Sequence, residues 1–171
     1  MDRELVGEFI DAVATEREKA SSMLAAHPDL KSARWIHQES VLHFLAIEGS
    51  AQDVAFLADA GFDLEATNEF GDTALIDAVG LGRAEVVKVL LDRGANPNCV
   101  SKTTAFPLYN ALMHGRIETV RMLLAAGADP LLQAPYGETL KDVFLMVTEP
   151  AARSQLVDAL KECGFPVSDF E

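Results

Sequence analysis

Cysteine, histidine, lysine and arginine are all scarce in this sequence, and each scarcity removes a class of function. Only two cysteines occur, Cys99 and Cys163, too few for the disulfide framework of a small exported domain. A reducing cytoplasm is therefore the expected location. No CxxC spacing lowers either thiol's pKa, so two ordinary thiols are expected rather than a redox pair. A zinc site would need several histidines beside them, and His27, His37, His43 and His114 show no ligand spacing. No metal or other cofactor is expected. The longest apolar run, Val143-Phe144-Leu145-Met146-Val147, falls far short of the roughly 18 residues of a membrane span. The opening Met1-Asp2-Arg3-Glu4 carries acids and leads into a broken apolar stretch, so no export signal can be drawn there.

Lys and Arg together number 14 against 27 Asp and Glu, a formal net charge of −13. Nucleic-acid binding requires accumulated cations that release counterions from phosphate, and no basic patch is visible, so nucleic acid is not expected as a partner. A protein with a basic surface is the complementary choice, because the field speeds its encounter. Solubility alone is the competing reason for the charge. Catalytic signatures are also missing: there is no G-x-S-x-G, no phosphate-cradling glycine loop, no Cys-His pair and no helix with metal-ligand spacing. A non-enzymatic, soluble protein is expected, monomeric when free.

What is present is a repeat. At 171 residues and 49% hydrophobic composition, one folded unit is expected. Three stretches superimpose without gaps at a period of 33 residues. They are Glu39-Ser40-Val41-Leu42-His43-Phe44-Leu45-Ala46, Asp72-Thr73-Ala74-Leu75-Ile76-Asp77-Ala78-Val79 and Ala105-Phe106-Pro107-Leu108-Tyr109-Asn110-Ala111-Leu112. The same offset aligns Asp59-Ala60-Gly61-Phe62-Asp63 with Asp92-Arg93-Gly94-Ala95-Asn96 and Ala125-Ala126-Gly127-Ala128-Asp129. Each unit reads as a short helix, a turn at Gly49, Gly82 or Gly115, a second helix and a terminating glycine. Segments such as Val86-Val87-Lys88-Val89-Leu90-Leu91 carry an apolar face that one helix pair cannot bury, so neighbouring units must stack.

These residues resemble the ankyrin repeat family, whose pattern runs roughly G-x-T-P-L-H-x-A-A, then glycine, an apolar helix and G-A-D. The nearest copy is Gly71-Asp72-Thr73-Ala74-Leu75 through Gly94-Ala95-Asn96-Pro97-Asn98. The resemblance implies an all-α solenoid of about five helix-turn-helix units joined by hairpin loops, with degenerate capping repeats. The units are drawn at residues 2–34 for the N-terminal cap, 35–67, 68–100 and 101–133 for full repeats, and 134–171 for the C-terminal cap, as a single domain over 1–171. In the last unit, Pro150 is placed in a longer turn before Leu156-Val157-Asp158-Ala159-Leu160, which Gly164 closes. The Thr-Pro-Leu-His start is complete in no unit. Ser40 and Thr73 can cap their helices, whereas Phe106 cannot and leaves that helix to Pro107. His43, at the family's histidine position, is read as a structural side chain bonding backbone between units.

The resemblance also implies a protein-binding role through a concave face built from hairpins and inner helices. Those positions fall on Trp35, Ile36, His37, Glu39, Glu48, Glu69, Phe70, Asp72, Leu81, Lys102, Met113, His114 and Tyr136. Hairpin tips gain little from aromatics, so Trp35, Phe70 and Tyr136 could form an anchoring stripe. Alternatively Trp35 folds back onto the N-terminal cap and Phe70 onto its neighbour. Residues 35–67 hold six acids, Glu39, Glu48, Asp53, Asp59, Asp63 and Glu65, and no Lys or Arg, so that unit, with Glu69 and Asp72 from the next hairpin, is expected to meet a basic partner surface. Asp53 is read instead as favouring its helix through the helix dipole. Three roles fit: an interaction module that holds a partner, an inhibitor or immunity-type protein that covers the active site of a basic enzyme or toxin, or a purely structural homo-oligomer through the concave face.

Overall fold

A computed structural model describes residues 2–103, 106–133, 137–165 and 167–168, excluding the Ile36 side chain. Among the described residues the chain is helical, with ten α-helices in five consecutive pairs: α1 (Arg3–Thr15) and α2 (Arg17–Ala26), α3 (Val41–Glu48) and α4 (Ala51–Asp59), α5 (Ala74–Leu81) and α6 (Ala84–Asp92), α7 (Pro107–Met113) and α8 (Ile117–Ala125), α9 (Leu140–Met146) and α10 (Pro150–Glu162). Local chemistry sets the starts. Ser40, Thr73 and Thr139 accept the third backbone N–H of α3, α5 and α9 with their hydroxyls. Phe106 makes no such bond, and α7 opens on Pro107, whose ring already holds the helical φ. Gly49 and Gly82 end α3 and α5 in the left-handed conformation, at φ of 89° and 72°.

The odd members of the later pairs stack in one layer, α3 on α5, α5 on α7 and α7 on α9, and the even members stack in a second, α4 on α6, α6 on α8 and α8 on α10. The core lies between the layers. Leu42, Leu75, Leu108 and Leu140, one from each inner helix, face Leu57, Leu90, Leu123 and Leu156 of the outer helices, and all are buried. Each such leucine contributes about 1.5–3 kcal/mol by leaving water. The N-terminal pair joins through α1, which packs on α4 and sets Phe9 against Phe62 with ring planes 3° apart.

Between inner helices the chain makes hairpins, and isolated bridges of Arg34 with Ser40 and of Thr67 with Thr73 close the first two. Backbone bonds run from hairpin to hairpin: Glu69 donates to the His37 carbonyl at 3.0 Å and Lys102 to the Phe70 carbonyl at 3.3 Å. One element departs from the sequence reading. Pro150 is the first residue of α10, not part of a turn ahead of it. The missing N–H of proline costs nothing in a helix's first turn, where that group has no partner anyway, and α10 gains a further turn.

Candidate functional site

The acids of the first full repeat divide into two groups. Those on the outer side are engaged. Asp53 pairs with Arg17 of α2 and accepts from the Ser50 hydroxyl, so it ties the N-terminal pair to α4 rather than acting only on its helix dipole. Asp59 holds Arg93 through two bonds of 2.9 and 3.1 Å, and that pairing keeps the exposed Asp59 carboxyl below its ordinary range. Glu65 accepts the Asn96 backbone N–H at 2.8 Å, and Asp63 accepts the Glu65 N–H at 3.0 Å. On the inner side, the side chains of Glu39 and Glu48 have no partner among the described residues, and Glu69, from the hairpin of the next repeat, meets His37 Nδ1.

Two rules of the inner layer explain what surrounds these acids. The first is His43. Its Nε2 donates to the Asp72 carbonyl at 2.9 Å, so the other ring nitrogen is the acceptor, taking the Ser40 hydroxyl at 2.7 Å. Burial lowers the His43 pKa, the Asp72 bond opposing it, which suits a neutral ring spanning two repeats. The second is that α5, α7 and α9 each end on an exposed apolar residue, Leu81 at 52%, Met113 at 49% and Met146 at 69% exposure, with Glu48 at the corresponding end of α3. With helices packed about 8–10 Å apart, these ends form a row.

Beside that row a groove of about 270 Å³ opens between α3, α5 and α7. Ile47 comes from α3, Asp72 from the second hairpin, Ile76, Asp77, Gly80 and Leu81 from α5, Asn110 from α7 and His114 from the C-cap of α7. Asp77 is the unusual member. Its Oδ2 is shielded from solvent and has no hydrogen-bond partner among the described residues. Burial first, then the fields of Asp72 and Glu39, push its carboxyl up to about 7.

The residues named from the sequence do not all meet here. Asp72, Leu81 and His114 line the groove, and Met113 lies next to it on α7. Asp72, however, is 6% exposed, with its backbone N–H on the Asn68 side chain, so it shapes the groove's field without offering an accessible carboxylate. Trp35 is half-buried, its ring 4.0 Å from where a Cβ on Gly7 of α1 would stand, so it seals the N-terminal pair against the first hairpin. Phe70 stays 44% exposed and packs at a tilt on the His37 ring, centroids 5.9 Å apart. Lys102 is exposed and lays its aliphatic stem against Gly71, whose φ of 83° no side chain would share comfortably. The Ile36 side chain and Tyr136 lie outside the described residues, so a three-aromatic stripe is not on view.

A profile of ankyrin repeats (3 copies) matches residues 11–101 and again 42–134. The chain belongs to the ankyrin repeat family. Ankyrin repeats generally serve protein–protein interaction and are typically non-enzymatic. A search of curated proteins finds no match to this sequence. Among the described residues no helix is long and apolar enough to cross a membrane, and no three His, Cys, Asp or Glu side chains gather where they could hold a metal ion.

Sequence reasoning passed over Asp77, although it stands in register with Phe44 and Asn110, one period to either side, on the face that meets the groove. It also passed over Arg83 and Arg116, one period apart. Arg83 Nε donates to the Ile47 carbonyl at 2.9 Å, and Arg116 donates to the Val79 carbonyl, each cation closing the inner helix of the preceding repeat.

Proposed function

We propose that this ankyrin-repeat protein binds a partner protein with a basic surface through its inner-helix and hairpin face. The carrying observation is the division of its acids. Asp53, Asp59 and Glu65 are spent on links between repeats, whereas Glu39 and Glu48 on the inner side have no described partner and Asp77 lines the groove between α3, α5 and α7. The exposed ends Leu81, Met113 and Met146 add apolar area next to that charge, the mixture of anchor and field that interfaces use.

Affinity capture at low and high salt, with wild type beside the Glu39→Lys, Glu48→Lys, Glu69→Lys triple variant, tests the charge. One basic protein is expected to be retained by wild type, to fall away as salt rises, and to be lost from the triple variant. A partner held equally by both would refute the electrostatic face. If the captured protein is an enzyme or toxin whose activity ceases in a stoichiometric complex, the inhibitory role applies; retained activity assigns a scaffold.

A further inference from the structure

Three features of the α3–α5–α7 groove belong together. Its walls include Ile47, Ile76 and Leu81, so a side chain entering it loses water against carbon. Asp77 lines it, and the Asp77 Oδ2 is shielded from solvent with no donor among the described residues. A buried acceptor left without a donor costs free energy that a bound donor would recover. The surrounding field is negative, because Asp72 and Glu39 both act on Asp77. Among the described residues of the lining, the one side chain able to carry positive charge is His114, exposed at the end of α7 and making no bond to Asp77.

Resting on the inner-helix face as the partner-binding surface, we infer that this groove is a socket for one lysine or arginine side chain of the partner, seated on the Asp77 carboxylate, with apolar partner residues beside it on Leu81 and Met113. A turn of the Asp77 side chain brings Oδ2 to the cation, which supplies its donor, and the methylene stem lies against Ile47 and Leu81 as long basic side chains do on apolar surface. A glutamate or a purely apolar residue fits less well: the first repels Asp77 and Asp72, and the second leaves Oδ2 unsatisfied. The open side at Gly80 admits the side chain, since a Cβ built there meets nothing within 4 Å.

The test is a selection of random short peptides on the immobilised full chain, followed by fluorescence anisotropy of the enriched peptides against wild type, Asp77→Asn, Leu81→Ser and Met113→Ser. Enriched peptides are expected to carry a lysine or arginine flanked by apolar residues. Asp77→Asn is expected to weaken them by about tenfold or more, as is replacing the peptide's basic residue with norleucine, and the two changes together should cost little beyond either alone. Affinity insensitive to Asp77→Asn but reduced by Leu81→Ser and Met113→Ser would overturn the socket while leaving the face intact. Peptides indifferent to all three variants would overturn both, and a selection yielding no binder would overturn the socket.

Discussion

At Asp77 the cost of burial falls on a carboxylate whose Oδ2 has no donor among the described residues, and the consequence is a definite pH dependence. The folded carboxyl titrates near 7 against an ordinary 3.8, so between these values the native chain holds a proton that the unfolded chain has released. Stability from this group is complete below pH 3.8, falls as pH rises, and is lost above about 7. Asp77→Asn removes that decline. Urea unfolding is expected to show the variant more stable than wild type by about 1–2 kcal/mol at pH 8, the partial exposure of the carboxyl keeping the gain below that of full burial, with the difference closing near pH 4. Equal stability at pH 8 would show that Asp77 is solvated in the native chain. Residue types had announced the caps at Ser40 and Thr73, because a hydroxyl before a helix acts on its own backbone. Asp77 could not be read that way, since what raises it is burial by the packed repeats first, and then the fields of Asp72 and Glu39.

Among elements, the arginines at the starts of α6 and α8 join repeats at the points where inner helices stop. Arg83 packs against Gly49, where a Cβ would come within 3.0 Å of its side chain, and donates to the carbonyl of Ile47. Arg83→Ala is expected to lower unfolding stability by about 0.5–1.5 kcal/mol, measured by chemical denaturation, since the Ile47 carbonyl and the arginine stem lose their contacts together. An unchanged midpoint would mean that water replaces the guanidinium without cost. The period-of-33 spacing of Arg83 and Arg116 was visible in the sequence, yet their target carbonyls were not. A carbonyl has no letter of its own, and only the stacking of helices brings it within reach. Pro150 illustrates the converse: the residue is legible as a helix boundary, but whether it ends one element or starts the next depends on which later residues enter the core, here Leu156, Ala159 and Leu160.

The molecule as a whole gains stability by stacking, and its interior repeats have two neighbours where its end units have one. Amide hydrogen exchange is expected to be slowest in α5 and α6, with the end pairs α1–α2 and α9–α10 opening at a cost lower by about 1 kcal/mol or more. Uniform protection along the chain would mean that the five pairs unfold as one unit. What the sequence determined by itself is the repeat: Leu42, Leu75 and Leu108, with Gly61, Gly94 and Gly127, recur because each unit needs the same apolar contact and the same left-handed exit from its helix. Only the tertiary structure decided which charges remain available. Asp53, Asp59 and Glu65 are consumed by Arg17, Arg93 and the Asn96 backbone about one period away, Asp72 is buried under its hairpin, and Trp35 turns onto α1. Charge counts along a chain are local, but pairing and burial are set by neighbours through space, and in a solenoid those neighbours lie one repeat away.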